Sequence, residues 1–382
     1  MGIQENGRQS YIDALKGWAI LGTITVHCGL WGEGRAAQLA GAGARGCQLF
    51  FMISAFLMYG SFDRLVLRSN GQVNFRQTVC WIAKRFVRLM PLWYLSIAVH
   101  MATNGWHTYW LGSEGKVTVW NLLSHAFFLH GLFPYYMDSI LGVDWYVGVI
   151  AVLIVFMPLA HKLVKSLSSA VMIFLGIVLM LPHFVSLLYA VNPLPAEDAY
   201  IWETYAGNFG FWNQLPVMML GIILYLFLKQ AKELPVKRPA VTAFPILCLG
   251  LVLMYGIIFK RTRIWPLDIL SLFGISYALV FLSQHICSLR IVDNPVTRSL
   301  GKYSYGIYLF HFRIVLRYYG LLAPEVNDAR AAALIRIGVV TFVSLAISYV
   351  LTRYVETPAV MYLDAKLDKA LKPADTTKTS PF

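Results

Sequence analysis

The first apolar stretch of the chain retains a lysine and a histidine where lipid would disfavour both. His27 follows Lys16 by eleven positions, which returns to within about 20° of the same helix face, about 16 Å away. An imidazole can accept or release a proton near neutral pH, so this stripe is a candidate for acid–base chemistry. Asp13, three positions before Lys16, can pair with the lysine. The structural alternative is a histidine that is hydrogen-bonded between helices.

A basic cluster opens the third apolar stretch. Arg85 and Arg88 lie three positions apart and directly follow Lys84, so the two arginines share one side of a helix. Two guanidinium groups at this spacing suit a phosphate, which they can bind bidentately. Basic residues at the flank of a membrane span also fix topology, and this alternative stays open.

Two further polar residues lie in apolar stretches near the C-terminus, His311 and Glu356. Groups of this kind are either functional or contacts between packed helices, and the sequence does not choose. The chain contains no Walker loop, Rossmann glycine motif, nucleophile elbow or H-E-x-x-H motif.

The composition indicates the environment that must position these residues. Of the 382 residues, 58% are hydrophobic and 13% are charged, whereas soluble domains have about 25% charged residues. This excludes a disordered chain, a secreted disulfide scaffold and an ordinary cytosolic enzyme. The net charge of +13 is spread between apolar runs, which indicates topogenic residues and no nucleic-acid partner. The five cysteines are scattered, so we expect neither disulfides nor a metal site.

We therefore predict an all-α integral membrane protein with about ten transmembrane helices. Each helix needs about 20 mostly apolar residues. A shorter apolar run, 119–134, carries His125 and His130 and is predicted to be an additional interfacial or re-entrant helix. The predicted spans are 14–32, 46–64, 86–104, 143–164, 169–191, 209–229, 240–259, 265–284, 303–320 and 333–355.

The distribution of basic residues predicts the orientation of these spans. With ten spans and a cytoplasmic N-terminus, 22 Lys and Arg residues fall inside and ten fall outside. This asymmetry predicts that both termini are cytoplasmic. We expect the membrane domain to cover residues 1–362 and a short cytoplasmic tail to cover 363–382.

Several segments together resemble the membrane acyltransferase-3 family, whose hallmark is a Lys or Arg, ten residues and then His. The likeness runs from Tyr11 to Tyr362, and the order and spacing of its parts are specific. The matching segments are YIDALKG with ITVH at 11–27, QLFFMISAFL at 48–57, RFVRLMPLWY at 85–94, QLP with LGI at 214–222, and the segments around His311 and Glu356.

One position departs from the family pattern. The family often carries W-S-L-S-V-E, and here Trp145 keeps its place while Ile150 stands where the Glu would be. If that carboxylate takes part in the chemistry, another group must replace it. Asp144, His130 and Asp138 lie near the same predicted outer face, and the sequence selects none of them.

The resemblance implies an O-acyltransferase of the inner (cytoplasmic) membrane. It would move an acyl group, usually acetyl, from acetyl-CoA to a hydroxyl of a cell-surface or lipid-linked glycan. Lys16, Asp13 and His27 would then be catalytic, and Arg85 with Arg88 would bind the donor. No metal and no bound cofactor are expected, because acyl-CoA is a substrate. Further candidate site residues are Ser54, Tyr94, Trp145, Tyr308, His311 and Glu356.

The expected partners are the acyl-CoA donor, the glycan acceptor and membrane lipid. In some relatives a fused soluble domain takes part in the transfer. Here we expect the membrane part to complete the reaction or to hand over to a separate extracytoplasmic protein. The alternative function is a polytopic transporter of a small polar or anionic solute, because many spans with buried polar residues also fit a substrate pathway.

Overall fold

The computed structural model describes residues 3–29, 34–108, 115–231, 236–260, 264–318 and 328–370. Within these ranges the chain forms α-helices joined by short 3-10 and π turns, with two isolated β-bridges and no strand. The helices are α1 (Ile3–His27), α2 (Arg35–Ala42), α3 (Gly46–Arg68), α4 (Phe75–Asn104), α5 (Val119–Ala126), α6 (Trp145–Leu163), α7 (Leu167–Ala190), α8 (Ala199–Thr204), α9 (Leu215–Gln230), α10 (Pro239–Lys260), α11 (Ile269–Ile286), α12 (Pro295–Lys302), α13 (Ser304–Tyr318), α14 (Ala329–Leu351) and α15 (Thr357–Ala370).

Seven helical stretches in the described ranges are long and apolar enough to span a membrane. They coincide with seven of the ten predicted spans. The other three predicted spans fall on α1 and α4, which carry more charged residues, and on α13, which has only 15 residues. The all-helical class is therefore confirmed, and the count of ten spans stays a prediction.

The apolar run 119–134 is divided into short pieces. Helix α5 ends at Ala126, Phe128 has a left-handed φ of 59°, and a single 3-10 turn follows at His130–Leu132. Eight residues of α-helix rise about 12 Å, whereas the hydrocarbon core of a bilayer is about 30 Å thick. Helix α5 is therefore too short to cross the membrane, as the prediction of an interfacial or re-entrant segment requires.

Helices α1 and α12 pack with their backbones in direct contact. Gly17 lies against the backbone of Thr297, and Gly301 lies against the backbone of Asp13. A Cβ atom at either glycine would overlap these backbone atoms. Small residues permit such close approach between helices in lipid. The short helix α12 is thereby fixed along the middle of α1.

Two of the segments that carry the family resemblance meet between α3 and α9. Gly221 lies on the backbone of Met52, where a side chain would overlap the Met52 carbonyl. Beside them the amide of Gln48 donates to the side-chain oxygen of Gln214 at 3.0 Å, and both side chains are buried. The Gln214 amide donates in turn to the Asn208 carbonyl at 3.2 Å, so these hydrogen bonds offset part of the cost of burying the two amides in an apolar surrounding.

Contacts between loops gather the basic segments at one end of the helices, which we call the basic end. Lys84 pairs with Asp368 at 2.7 Å, and Ser10 donates to Asp293 at 3.1 Å. We call the opposite end the far end. There the loops after α5 and α7 meet, since Tyr135 donates to Asp198 at 2.6 Å. The orientation of these ends in the membrane stays a prediction.

The last helix, α15, continues to Ala370 and so passes residue 362, where we expected the membrane domain to end. Its contacts are with the start of α4, since Arg76 donates to the Ala370 carbonyl at 3.1 Å. Residues 371–382, the remainder of the predicted tail, lie outside the described residues.

Replacing Gly301 by Ala should destabilise the protein by about 1–3 kcal/mol, because the added methyl group overlaps the backbone of α1 and forces the helices apart. Gly338→Ala in α14 is the matched control, because nothing lies within 4 Å of the position that its Cβ would take. The midpoint of thermal unfolding in detergent measures both. Equal midpoints for Gly301→Ala and the control would contradict the backbone contact.

Candidate active site

A cavity of about 230 Å³ lies between six helices in the middle of the protein. Its apolar walls come from α3, α4 and α6, and its polar groups come mainly from α1, α12 and α13. Lysines from α1 and α12 lie on the side toward the basic end, and the first turns of α6 lie on the side toward the far end. The lining residues are Lys16, Phe50, Ser54, Leu89, Tyr146, Val147, Ile150, Gly301, Lys302, Ser304, Tyr305 and Tyr308.

Lys16, which the sequence singles out, lies in this lining. Its ammonium is 3.4 Å from the carboxylate of Asp13, so the predicted pair is present, although both side chains are partly exposed and the pair is weak. His27 is not part of the lining. It occupies the last turn of α1, eleven residues farther toward the far end.

The cavity is connected to His27 through two residues of α13. Tyr308 lines the cavity and donates its hydroxyl to the Val143 carbonyl. One turn later, the ring centroid of His311 lies 5.8 Å from that of Tyr308 and 5.4 Å from that of His27. The structure thus brings together two histidines that are 284 positions apart in the sequence and that the sequence treats separately.

The hydrogen bonds of His311 fix its tautomer. Nδ1 faces the carbonyl of Tyr308 at 2.8 Å, and because a carbonyl can only accept, Nδ1 carries the hydrogen. Nε2 then holds a lone pair, and within the described part of the chain this buried atom has no hydrogen-bond partner. A neutral imidazole with an available lone pair is what a general base requires.

Position 150, where the family often carries Glu, faces the same cavity. Ile150 is buried in the wall, so this chain has an alkyl group where the carboxylate of other members would lie. The polar atoms of the lining are instead hydroxyls and lysines. Ser54, Tyr305 and Tyr308 supply hydroxyl groups around it.

Arg85 and Arg88 lie on α4 toward the basic end and do not line this cavity. The Arg85 guanidinium lies 3.8 Å from the Trp81 ring centroid and donates to Ser61 and to the Trp81 carbonyl. Arg88 is exposed. The two groups therefore do not form a shared fork in this structure, although Leu89, the next residue, does reach the cavity.

Three other candidates lie outside the cavity lining. The Tyr94 hydroxyl donates to the Ala126 carbonyl at 2.8 Å, and Glu356 accepts from the Thr352 hydroxyl at 2.8 Å. Trp145 packs its ring 5.6 Å from that of Phe51. Tyr94 thus joins α4 to α5 and Trp145 packs α6 on α3, whereas the Glu356 hydrogen bond lies within a single π turn.

A buried ionic cluster behind Tyr308 was not selected from the sequence. His125 Nε2 lies 2.6 Å from the Asp144 carboxylate, and His130 Nε2 lies 3.1 Å from the Asp144 carbonyl. The two imidazoles stack at 4.3 Å, and Trp93 stacks on both. All four side chains are fully buried. The available signal was two His and two Asp in the short stretch 125–144, but the sequence could not say which of them meet.

The charges of this cluster follow from its burial. Burial and the nearby negative charge of Asp144 raise the pKa of Asp138 well above its usual range, so Asp138 is protonated. Burial opposes ionisation of Asp144 as well, but the hydrogen bond from His125 lowers the pKa of Asp144 below its usual value. Burial also lowers the pKa of His130 to about 3, so this ring is neutral.

The cluster fixes the start of α6. The Asp138 carboxyl accepts the backbone N–H of Trp145 at 2.7 Å, and Asp144 accepts from the backbone of Ile140 and Leu141. Because the residues just after Trp145 line the cavity, the cluster also sets the shape of its far side.

The comparison with known sequences bears on this arrangement. The acyltransferase-3 family, described as an acyltransferase domain, matches residues 9–353. The chain belongs to this acyltransferase family. The match includes every residue of the cavity lining and both histidines beyond it.

Three relatives in Staphylococcus aureus strains COL, MSSA476 and MRSA252 are named putative O-acetyltransferases. Each is 25% identical to this acyltransferase-family chain over 335 residues. The alignment covers 80% of this chain and 50% of each relative, so the chain spans about half the length of these proteins. No solved structure matches the chain.

Replacing Asp144 by Asn should destabilise this acyltransferase by about 1–3 kcal/mol, because it disrupts the buried hydrogen bonds of this carboxylate to His125 and to the backbone of Ile140 and Leu141. Asp198→Asn, on the same end of the protein, is the control. Asp198 is half-exposed and accepts one tyrosine hydrogen bond, so we expect a loss of about 1 kcal/mol or less. Thermal unfolding in detergent gives both values. If Asp144→Asn unfolds no earlier than Asp198→Asn, the buried pair does not stabilise the fold.

Proposed function

We propose that the protein is a membrane O-acyltransferase that moves an acetyl group from acetyl-CoA to a hydroxyl of a cell-surface or lipid-linked glycan. One observation carries the proposal. The cavity is lined by Lys16 toward the basic end and by Tyr308, and the Tyr308 ring lies 5.8 Å from that of His311, which lies 5.4 Å from that of His27. A donor that enters from one side and an acceptor that approaches from the other would meet at these histidines. Membership of the acyltransferase family and the names of the relatives support the reaction class.

The basic end faces the cytoplasm in this proposal, and the protein lies in the inner membrane. Lys and Arg are enriched on the cytoplasmic side of membrane proteins, and the segments predicted to lie inside carry 22 of the 32 Lys and Arg residues. Acetyl-CoA is a cytoplasmic metabolite with several phosphate groups. It therefore reaches the cavity from the side on which the lysines lie.

His27 and His311 supply the base. The acceptor hydroxyl attacks the thioester carbonyl carbon, its proton passes to an imidazole nitrogen, and the carbon–sulfur bond breaks. The coenzyme A thiolate then leaves and takes up a proton. Burial beside Phe312, whose ring lies 4.7 Å from that of His27, keeps the imidazole from being hydrated and holds it in one orientation. Lys16 acts at the opposite end of the same helix face, with Asp13 as its partner.

His27→Gln tests the proposal most sharply. It keeps the approximate size of the side chain and some hydrogen bonding but removes a group that exchanges protons near pH 7. We expect membranes containing this variant to lose acetyl transfer from labelled acetyl-CoA to glycan by about 100-fold or more, with normal abundance of the protein. His183→Gln, in α7 and exposed on its surface, should retain full activity. Lys16→Arg should be tolerated and Lys16→Ala impaired.

Two results would contradict this assignment. Normal glycan acetylation by well-expressed His27→Gln protein would remove the base and leave His311 as the next residue to test. Transport of a solute without covalent transfer by the unaltered protein would favour the transporter instead.

The arginines on α4 are assigned to the donor in this proposal, at the approach to the cavity from the basic end. Arg85→Ala or Arg88→Ala should raise the KM for acetyl-CoA, and replacement by Lys should do so less, because Lys keeps the charge and loses the planar fork. Kinetics in membranes at matched protein level measure the effect. If the KM for acetyl-CoA is unchanged in both alanine variants, these arginines serve only to fix the membrane topology.

A further inference from the structure

We infer that Lys302, at the C-terminal end of α12, binds the phosphate groups of the acyl donor together with Lys16. The inference rests on the proposed function and names a donor-binding residue that neither the sequence motifs nor the arginine cluster contains. Both lysines line the central cavity, and both lie on the side toward the basic end.

The packing of α1 on α12 places both lysines in the lining of one cavity. Each lysine directly adjoins one of the two glycines at the backbone contact: Lys16 precedes Gly17, and Lys302 follows Gly301. Because the contact joins backbone to backbone, the spacing of these positions is fixed by the fold. Lys16 also contacts the Asp13 carboxylate at 3.4 Å, but both side chains are partly exposed and this pairing is weak. We call the two cavity-lining lysines the cation pair, and a polyphosphate that enters the cavity can contact both.

The charges around Lys302 leave its ammonium available. Among the described residues, no carboxylate lies within 4 Å of it, and its nearest aromatic ring is that of Tyr303, 5.4 Å away. Arg298, one turn earlier on α12, is instead held by Asp293 at 2.5 Å. On α12, therefore, Arg298 is paired with the Asp293 carboxylate, whereas Lys302 lines the cavity.

The remaining lining indicates how a donor would lie. Ser304, the first residue of α13, also lines the cavity, so the positive end of the α13 dipole adds to the two lysines. Beyond them the walls become apolar, with hydroxyl groups from Ser54 and Tyr308. Phosphates at the lysines would direct the thioester along this path toward Tyr308 and the histidines behind it. Binding of the glycan acceptor would not require two cations at the basic end.

A simpler role for Lys302 is the stabilisation of the C-terminal end of α12, since a cation there interacts favourably with the helix dipole. That role predicts that replacing Lys302 lowers the stability of the protein and leaves its affinity for the donor unchanged. The donor-binding role predicts weaker donor binding without a loss of stability, so experiment can separate the two roles.

The test is equilibrium binding of labelled acetyl-CoA to the purified full-length protein in detergent, which needs no acceptor. We expect Lys302→Gln to weaken binding about 10-fold, which corresponds to about 1.4 kcal/mol, and Lys302→Arg to bind within about threefold of the unaltered protein. Arg290→Gln is the matched control, because Arg290 is an exposed basic residue of the preceding loop that does not line the cavity. It should bind normally.

Turnover gives the second measurement. In membranes, Lys302→Gln should raise the KM for acetyl-CoA with little change in kcat, and it should not alter kcat/KM for acetyl-pantetheine, which lacks the nucleotide phosphates. Unchanged acetyl-CoA binding by Lys302→Gln would overturn the inference, and so would an equal loss with both donors. Absence of acetyl transfer by the unaltered protein would instead refute the proposed function.

Discussion

The contact between the backbones of α1 and α12 is the constraint on which the site depends. Gly17 and Gly301 let the two helices approach until main-chain atoms touch, and a Cβ at either position would separate them. This approach places Lys16 and Lys302 in the lining of one cavity, and α13 begins directly after α12. Tyr308 and His311 follow on α13, so one close contact orients both the cation pair and the histidine pair.

Exclusion of water explains much of the remaining structure. A buried polar group in an apolar surrounding is costly unless it is bonded, and the buried groups of this protein are accordingly joined in small networks. Asp63 illustrates this, because it accepts from Tyr225 and Lys229 and lies 3.1 Å from His161. Against that background, a buried polar atom without a hydrogen-bond partner among the described residues is informative. The Nε2 atom of His311, beside His27, is such an atom, and it is where a substrate hydroxyl could be bound.

The division between scaffold and site follows the same physics. Of the seven stretches apolar enough to span a membrane, those with α3 and α6 form walls of the cavity, whereas α1, α4 and α13 carry most of the charged and titratable candidates. A helix cannot be uniformly apolar and also supply lysine, arginine and histidine to a polar substrate. These three helices are therefore less hydrophobic than the others, and packing against neighbouring helices stabilises them in the membrane.

The sequence by itself determined the helical class, the positions of the apolar helices, the family likeness and the Lys16–Asp13–His27 stripe, because all of these depend on local composition and on the helical period. It also identified position 150 as unusual, and the structure places Ile150 in the cavity wall. It could not decide which distant residues meet. The approach of His311 to His27, the separation of Arg85 from the cavity, the His125–Asp144 pair and the place of Lys302 and Lys16 in one cavity were settled only by the tertiary structure. The reason is that contacts between residues far apart in sequence are fixed by how helices pack, and neither periodicity nor spacing along the chain encodes that packing.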